Sequence, residues 1–350
     1  MRAMRLLLST LLLLPLAAFA DRLPRNELLK YHTSDGSITE AKNATEWSMR
    51  WNEILRGMQE VMGPKPTDAK RCALDLKIEE EVDCGSYVRK LISYAAEPGG
   101  RVPAYLCVPK TATADKPAPA VLFLHPTENK IGVKVVVGLG GKEHRQYAQE
   151  LAERGFVTLS PSYVQLADYQ PDLKALGYDS GTMKAIWDNI RGLDLLESLP
   201  FVNKTKGFAA IGHSLGGHNT LYTSVFDKRI KVAVSSCGFD SFTDYYGGNI
   251  TGWTQDRYMP RMKNYLGHPQ DVPFDFYEVI AALGDRTVFV NAPLRDANFK
   301  HDSVDRIAAA SEPVRKLLGG TLSVRHPDTE HDFSDDVRFE AYGVIESALK

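Results

Sequence analysis

A serine hydroxyl is a weak nucleophile until a neighbouring base takes its proton, and that base works best when a third group fixes its tautomer. The run GFAAIGHSLGG, from Gly207 to Gly217, holds a serine placed for such duty, because Gly212-His213-Ser214-Leu215-Gly216 fits G-x-S-x-G. In that pattern the serine occupies a sharp strand-to-helix turn, and a side chain two residues before or after it would collide with the adjoining strand or helix. If Ser214 is the nucleophile, an acid and a histidine should follow at strand ends, in that order. Asp296 follows a strand-like segment over 287–291, and His331 follows another over 322–325. Both loops would leave the carboxyl edge of a parallel sheet, where open α/β folds place their sites.

Other residues compete for these roles. His213 and His218 flank the serine, His301 stands at a helix start and His326 at a strand end, whereas His331 lies in a loop ahead of the last helix and is the expected base. For the acid, Asp296 leads; Asp302 is its rival from the same loop, Asp240 follows the preceding strand, and Asp285 and Glu330 trail. An oxyanion would need two backbone N–H donors. Leu215, just after the serine, offers one. The other should come from the loop His125-Pro126-Thr127-Glu128-Asn129; Pro126 has no N–H, so Thr127 is the candidate, with Glu128 behind it. Candidate substrate contacts are His213, although it should point away from the serine, together with Tyr245, Trp253 and Tyr258. Gly138-Leu139-Gly140-Gly141 lacks both the G-x-G-x-x-G and the Lys-Ser/Thr patterns of nucleotide loops, so no phosphate or cofactor is expected.

These residues need a scaffold, and the hydrophobic pattern describes one. Residues 39–62 read as a helix with Trp47, Trp51, Ile54, Leu55, Met58 and Met62 as a packing stripe, stopped by Gly63-Pro64. Strand-like segments follow over 74–82, 86–93 and 102–108, then a continuous apolar run over 120–125 typical of a buried parallel strand. A βα alternation comes next: helix 142–154, strand 156–159, helix 182–198, strand 208–211, a helix from the serine to about 226, and strand 232–235. Residues 240–283, rich in aromatics and glycine, break the rhythm and read as an insertion over the sheet. Helix 303–318 and a final helix over 335–348 complete the pattern.

Composition narrows the class. The chain has 350 residues, 43% hydrophobic and 25% charged, with formal net charge -2, enough for one large α/β domain with extensions and no electrostatic case for nucleic acid. Arg2 and Arg5, the apolar run 6–14 and Ala18-Phe19-Ala20 read as a signal peptide over 1–20, followed by an arm and helix over 21–70 and a catalytic domain over 71–350. The expected destination is secretion or the periplasm, with no membrane association after cleavage. Of the four cysteines, Cys72 and Cys84 form the most plausible bridge, and no metal-ligand spacing is visible. The sequence carries no marker of oligomeric state.

With these motifs in hand, the chain resembles the α/β-hydrolase superfamily over 74–350, on the strength of GHSLGG, the aspartate after the penultimate strand and the terminal His331-Asp332-Phe333. The last pattern is similar to the dienelactone-hydrolase and acetyl xylan esterase branch. Glucuronoyl esterases of similar layout carry arginine where this chain has Leu215, the best-known dienelactone hydrolases use cysteine where it has Ser214, and glycine usually stands where it has Pro126. The resemblance implies a mostly parallel sheet with helices on both faces and a serine esterase without cofactor, acting on a small-molecule or oligosaccharide ester. Alternatives are a dienelactone-hydrolase-like or prolyl-oligopeptidase-like serine hydrolase, or a catalytically inactive binding protein of the same fold.

Overall fold

The computed structural model describes residues 22–350, so the expected signal peptide lies outside the described residues. In chain order the elements are β1 (Lys30–His32), β2 (Ile38–Glu40), α1 (Ala44–Met62), β3 (Lys77–Asp83), β4 (Tyr87–Glu97), β5 (Gly100–Pro109) and β6 (Ala118–Leu124). Next come α2 (Tyr147–Glu153), β7 (Val157–Pro161), α3 (Gly181–Ser198), β8 (Val202–Asn203), β9 (Phe208–His213), α4 (Leu215–Phe226) and β10 (Ile230–Ser236). The chain closes with α5 (Phe276–Ala281), β11 (Thr287–Asn291), α6 (His301–Leu318), β12 (Thr321–Arg325) and α7 (Asp335–Leu349).

The main sheet runs β12-β11-β10-β9-β6-β7-β5-β4-β3, with β8 pairing beside β6. Strands β6, β7 and β9 to β12 are parallel, while β5 pairs antiparallel with β7 and leads into the antiparallel β4 and β3. This is the mostly parallel α/β sheet expected from the sequence. Successive side chains of a strand point to opposite faces, and β6 shows the result. Ala120, Leu122 and Leu124 join the apolar layer that includes α1, α3 and α4. Val121 and Phe123 join the opposite layer with α2 and α7. Helices therefore cover both faces, which explains why this strand reads as an unbroken apolar run.

Several boundaries differ from the sequence reading for identifiable reasons. Helix α1 begins at Ala44 because Ile38–Glu40 pairs antiparallel with Lys30–His32, and the Asn43 side chain then caps the helix by accepting the Glu46 N–H. Its stripe is buried at Trp47, Ile54, Met58 and Met62. Helix α2 starts five residues later than the pattern suggests, after a stretch in which Gly138, Gly140, Gly141 and His144 all have positive φ. The expected Cys72–Cys84 bridge is corrected: both are free thiols, as are Cys107 and Cys237. The intervening residues do not form a hairpin of their own. They run out as β3, which pairs with β4, leaving Cys72 ahead of the strand and Cys84 at its far turn.

Residues 240–283 form short 3₁₀ turns and α5 rather than a sheet. They are fastened at both flanks. Gly181 and Thr182, at the start of α3, donate N–H bonds to Asp256 O and Tyr258 O. On the other side Arg25 bonds Val272 O and pairs with Asp275 and Glu278. Among the described residues no helix is long and apolar enough to cross a membrane.

Candidate active site

Ser214 sits between β9 and α4 at φ 55° and ψ −121°, a conformation that a non-glycine residue holds only when its surroundings enforce it. Its N–H is tied to Ser236 O on the neighbouring strand at 2.8 Å. The flanking glycines are obligatory by contact. A Cβ at Gly216 would lie 1.9 Å from Leu124 O, and one at Gly212 would lie 2.2 Å from Gly216 O. The turn therefore packs directly on the end of β6, bringing Ser214 and Leu215 beside the loop that carries Thr127.

Two further loops leave the carboxyl ends of β11 and β12, and backbone bonds lace them together. Ala292 N–H reaches Arg325 O, Leu294 N–H reaches Pro327 O, and Arg295 N–H reaches Thr329 O. The lacing brings the Asp296 carboxylate against His331, with Nδ1 at 3.0 Å from Oδ1 and 2.9 Å from Oδ2. Asp296 is buried, 1% exposed at its side chain, and its Oδ1 also accepts the N–H groups of Asn298 and Phe299. A carboxylate so placed fixes the tautomer in which Nδ1 carries the proton and Nε2 is free to act as a base.

The backbone around His331 is held by residues that the sequence reading did not single out. Asp332 O accepts from Asn291 Nδ2 at 2.8 Å and from the Cys237 thiol at 3.3 Å. The Asp332 carboxylate takes His144 Nδ1 at 2.7 Å and Arg145 Nη1 at 2.6 Å, while Arg145 Nη2 bonds His331 O. Burial alone would raise the Asp332 pKa, but the Arg145 and His144 bonds hold it below the usual carboxylate value. The Cys237 sulfur, an Asp296 oxygen and a His331 ring nitrogen lie within 4.8 Å of one another. A 2.9 Å contact between Asp296 and His331 is that of a shared proton, because tetrahedral ligands about 2.0–2.1 Å from one zinc stand roughly 3.3 Å apart.

A pocket of about 150 Å³ opens over Ser214. Leu215 and Thr127 line it beside the serine; Tyr245, Trp253 and Tyr258 reach in from the insertion. Thr127 Oγ1 and Tyr258 OH, 3.1 Å apart, join the two sides. His218, Asn298 and Phe299 also line the pocket and were not among the expected substrate contacts. A spacing signal existed for His218, since residues four apart on a helix share a face. Its Nδ1 hydrogen-bonds Gly238 O, and burial pushes its pKa down to about 3, so the ring is neutral. Asn298 and Phe299 follow from the turn after Asp296, which sequence patterning does not describe.

His213 is the expectation that needs correction. It is 1% exposed, does not line the pocket, and shares a hydrogen bond with Ser236 Oγ at 2.9 Å. As the last residue of β9 it alternates away from Ser214, and its ring instead packs 4.8 Å from that of His331. The rival acids stand elsewhere. Asp302 is exposed and paired with Arg306 at 3.0 Å, Asp285 pairs with Arg286, and Glu330 is exposed. Asp240 is buried and accepts the Lys300 N–H. His326 is engaged by Ala292 O and Asp305, and the His301 ring packs on it.

No protein-family model matches the chain, and no curated protein matches it in sequence. Solved structures do. A glucuronoyl esterase from Solibacter usitatus superposes with a TM-score of 0.74 at 20% identity, covering 94% of this chain and 98% of that one. A carbohydrate esterase family 15 glucuronoyl esterase from Caldicellulosiruptor kristjansonii gives 0.64 at 16% identity over 91% and 88%. Acetyl xylan esterase 1 from Thermoanaerobacterium sp. JW/SL YS485 gives 0.56 at 14% identity over 94% and 100%. The likeness extends over nearly the whole chain, and it shows the α/β-hydrolase fold.

Proposed function

We propose that this chain is a secreted serine carboxylic-ester hydrolase that works through an acyl-enzyme on a carbohydrate ester of the acetyl xylan type. The observation that carries the reading is the contact of Asp296 with His331 Nδ1, whose ring packs 4.8 Å from that of His213, the neighbour in sequence of a strained Ser214 that lines an uncharged aromatic pocket.

In the proposed reaction the Ser214 oxygen attacks the ester carbonyl while His331 Nε2 takes the hydroxyl proton. The carbonyl becomes an oxyanion held by the N–H groups of Leu215 and Thr127. Collapse breaks the bond to the alcohol, which leaves with the proton returned by His331. Water then attacks the acyl-Ser214 ester, giving up its proton to the same nitrogen, and Ser214 recovers it as the acid departs. The Asp296 carboxylate holds the imidazole in place and stabilises the imidazolium at each proton transfer.

Three features support a carbohydrate ester with a short acyl group. The pocket is small, at about 150 Å³. Its polar groups are hydroxyls, an amide and a neutral imidazole, suited to sugar hydroxyls rather than to an ion. The solved structures it resembles include a glucuronoyl esterase and an acetyl xylan esterase. Leu215 supplies no charge after the serine, which favours the acetyl reading over the glucuronoyl one. Export is proposed from the charged, apolar and small-residue order of residues 1–20.

The test is a panel of acetyl xylan, feruloyl and glucuronoyl esters, and p-nitrophenyl esters of rising chain length, run on wild type and Ser214→Ala. Acetate release from acetyl xylan that vanishes in Ser214→Ala is the expected result. Activity confined to aryl esters or lipid emulsions would overturn the substrate assignment. Absence of Ser214-dependent labelling by a fluorophosphonate probe would overturn the enzyme reading in favour of an inactive binding protein.

A further inference from the structure

The rim of the pocket carries an aromatic ring that the fold has no reason to expose. Tyr246 is 55% exposed, yet its backbone lies in the left-handed region at φ 45° and ψ 37°. Gly247 and Gly248 follow at φ 69° and 89°, so three consecutive left-handed residues turn the chain back and leave the tyrosine at its outer point. A glycine at this position would remove the strain, and a ring so exposed recovers little through burial. Strain that persists at the edge of a candidate site, with more than half of the side chain left in water, points to a functional role.

The ring is nevertheless fixed in place. Its hydroxyl donates to Asn298 Oδ1 at 2.8 Å, and its plane stands at 89° to that of Tyr245 with centroids 4.7 Å apart. Asn298 and Tyr245 both line the pocket above Ser214. Tyr246 is thus an oriented aromatic surface one side chain outside the pocket, reached by whatever part of a substrate extends beyond the ester. Sugars present an apolar face of C–H groups that settles on aromatic rings through dispersion and weak C–H contacts.

We propose that Tyr246 is an outer stacking platform for a sugar ring next to the esterified unit of a neutral polysaccharide. This rests on the carbohydrate-ester reading above. On it, the pocket holds the ester and Tyr246 holds the chain.

Binding is measured by native gel electrophoresis through acetyl xylan free of uronic acid side groups, with every protein carrying Ser214→Ala so that the polymer is not consumed. Adding Tyr246→Ala should weaken retardation by about three- to ten-fold, the scale of one aromatic contact, whereas Tyr246→Phe, which keeps the ring, should stay within about two-fold. In otherwise wild-type enzyme, Tyr246→Ala should hydrolyse ethyl acetate at the parent rate. The proposal is overturned if Tyr246→Ala migrates like its parent, including the case in which neither is retarded. It is equally overturned if Tyr246→Phe loses as much as Tyr246→Ala, or if ethyl acetate hydrolysis falls as far as polymer binding. Acid release from the same polymer by wild-type enzyme reports on the esterase reading alone, so the two can fail separately.

Discussion

Replacing Asp296 by asparagine removes one charge while preserving shape, and the structure sets the size of the effect. Nδ1 of His331 lies 2.9 Å from the nearer carboxylate oxygen, and the His331 side chain is 24% exposed, so the pair is only partly screened. At an effective dielectric of about 20, opposite unit charges at that spacing attract by roughly 6 kcal/mol. This attraction grows in as the imidazolium forms, so its loss falls on the transition state. At about 1.36 kcal/mol per tenfold, kcat should drop by roughly 10⁴. The amide would also turn a donor toward Nδ1 and favour the tautomer that cannot accept the serine proton. The Asp296→Asn side chain keeps an oxygen for the Asn298 and Phe299 N–H groups, so Tm and KM should move little. The assay is kcat and KM on p-nitrophenyl acetate with a melting curve for each protein. A loss of less than tenfold, with the variant folded, would refute the assignment, most pointedly if Asp302→Asn or Asp240→Asn caused the large loss instead.

Two further predictions concern stability. Burial pushes the Asp240 carboxyl up to about 8, only partly offset by the Lys300 N–H bond. The folded protein therefore holds a proton that the unfolded chain releases near pH 4, and stability present below that pH declines as pH rises through about 8, at up to about 1.4 kcal/mol per unit. Asp240→Asn should flatten the Tm profile between pH 6 and 8.5; parallel wild-type and variant curves would sink the idea. Gly216→Ala would drive a Cβ to 1.9 Å from Leu124 O and should cost about 3 kcal/mol in urea unfolding. Gly343→Ala, on α7 where an added Cβ meets nothing within 4 Å, should instead stabilise by roughly 0.5–1 kcal/mol. Similar effects from the two would count against the packing of the Ser214 turn.

What could be read from the sequence was whatever is encoded in short-range chemistry. Glycines at 212 and 216, an apolar run over 120–125 and an aspartate and histidine after strands each reflect a local constraint, and the fold follows from them. The Asp296–His331 contact depends on two loops laced by backbone bonds, yet the strand ends already place both residues on one edge. What stayed hidden depends on long-range packing. Arg145 meets Asp332 across 187 positions, in a segment whose composition suggested helix but whose positive-φ residues form an irregular loop. Asn298 reaches the pocket only because Asp296 folds the following turn onto its own carboxylate. Cys72 and Cys84 were mispaired because the antiparallel partner of β3 is β4, a long-range choice that their spacing does not contain.

The N-terminal arm has a consequence of its own. Arg25 holds Val272 O, Asp275 and Glu278, Arg22 holds Gln270 O and Asp271 O, and Gly57 of α1 packs so tightly on Pro273 that a Cβ would lie 2.7 Å from its oxygen. These are attachments to the same insertion whose other end supplies Tyr245, Trp253 and Tyr258 to the pocket. On the proposed function, catalytic chemistry and substrate choice have separate mechanical supports: the sheet edge carries the first, while residues 22–25 and α1 on one flank and the start of α3 on the other hold the insertion that carries the second. Changes at residues 22–25 would then act on the insertion while leaving the serine, histidine and aspartate where the sheet puts them.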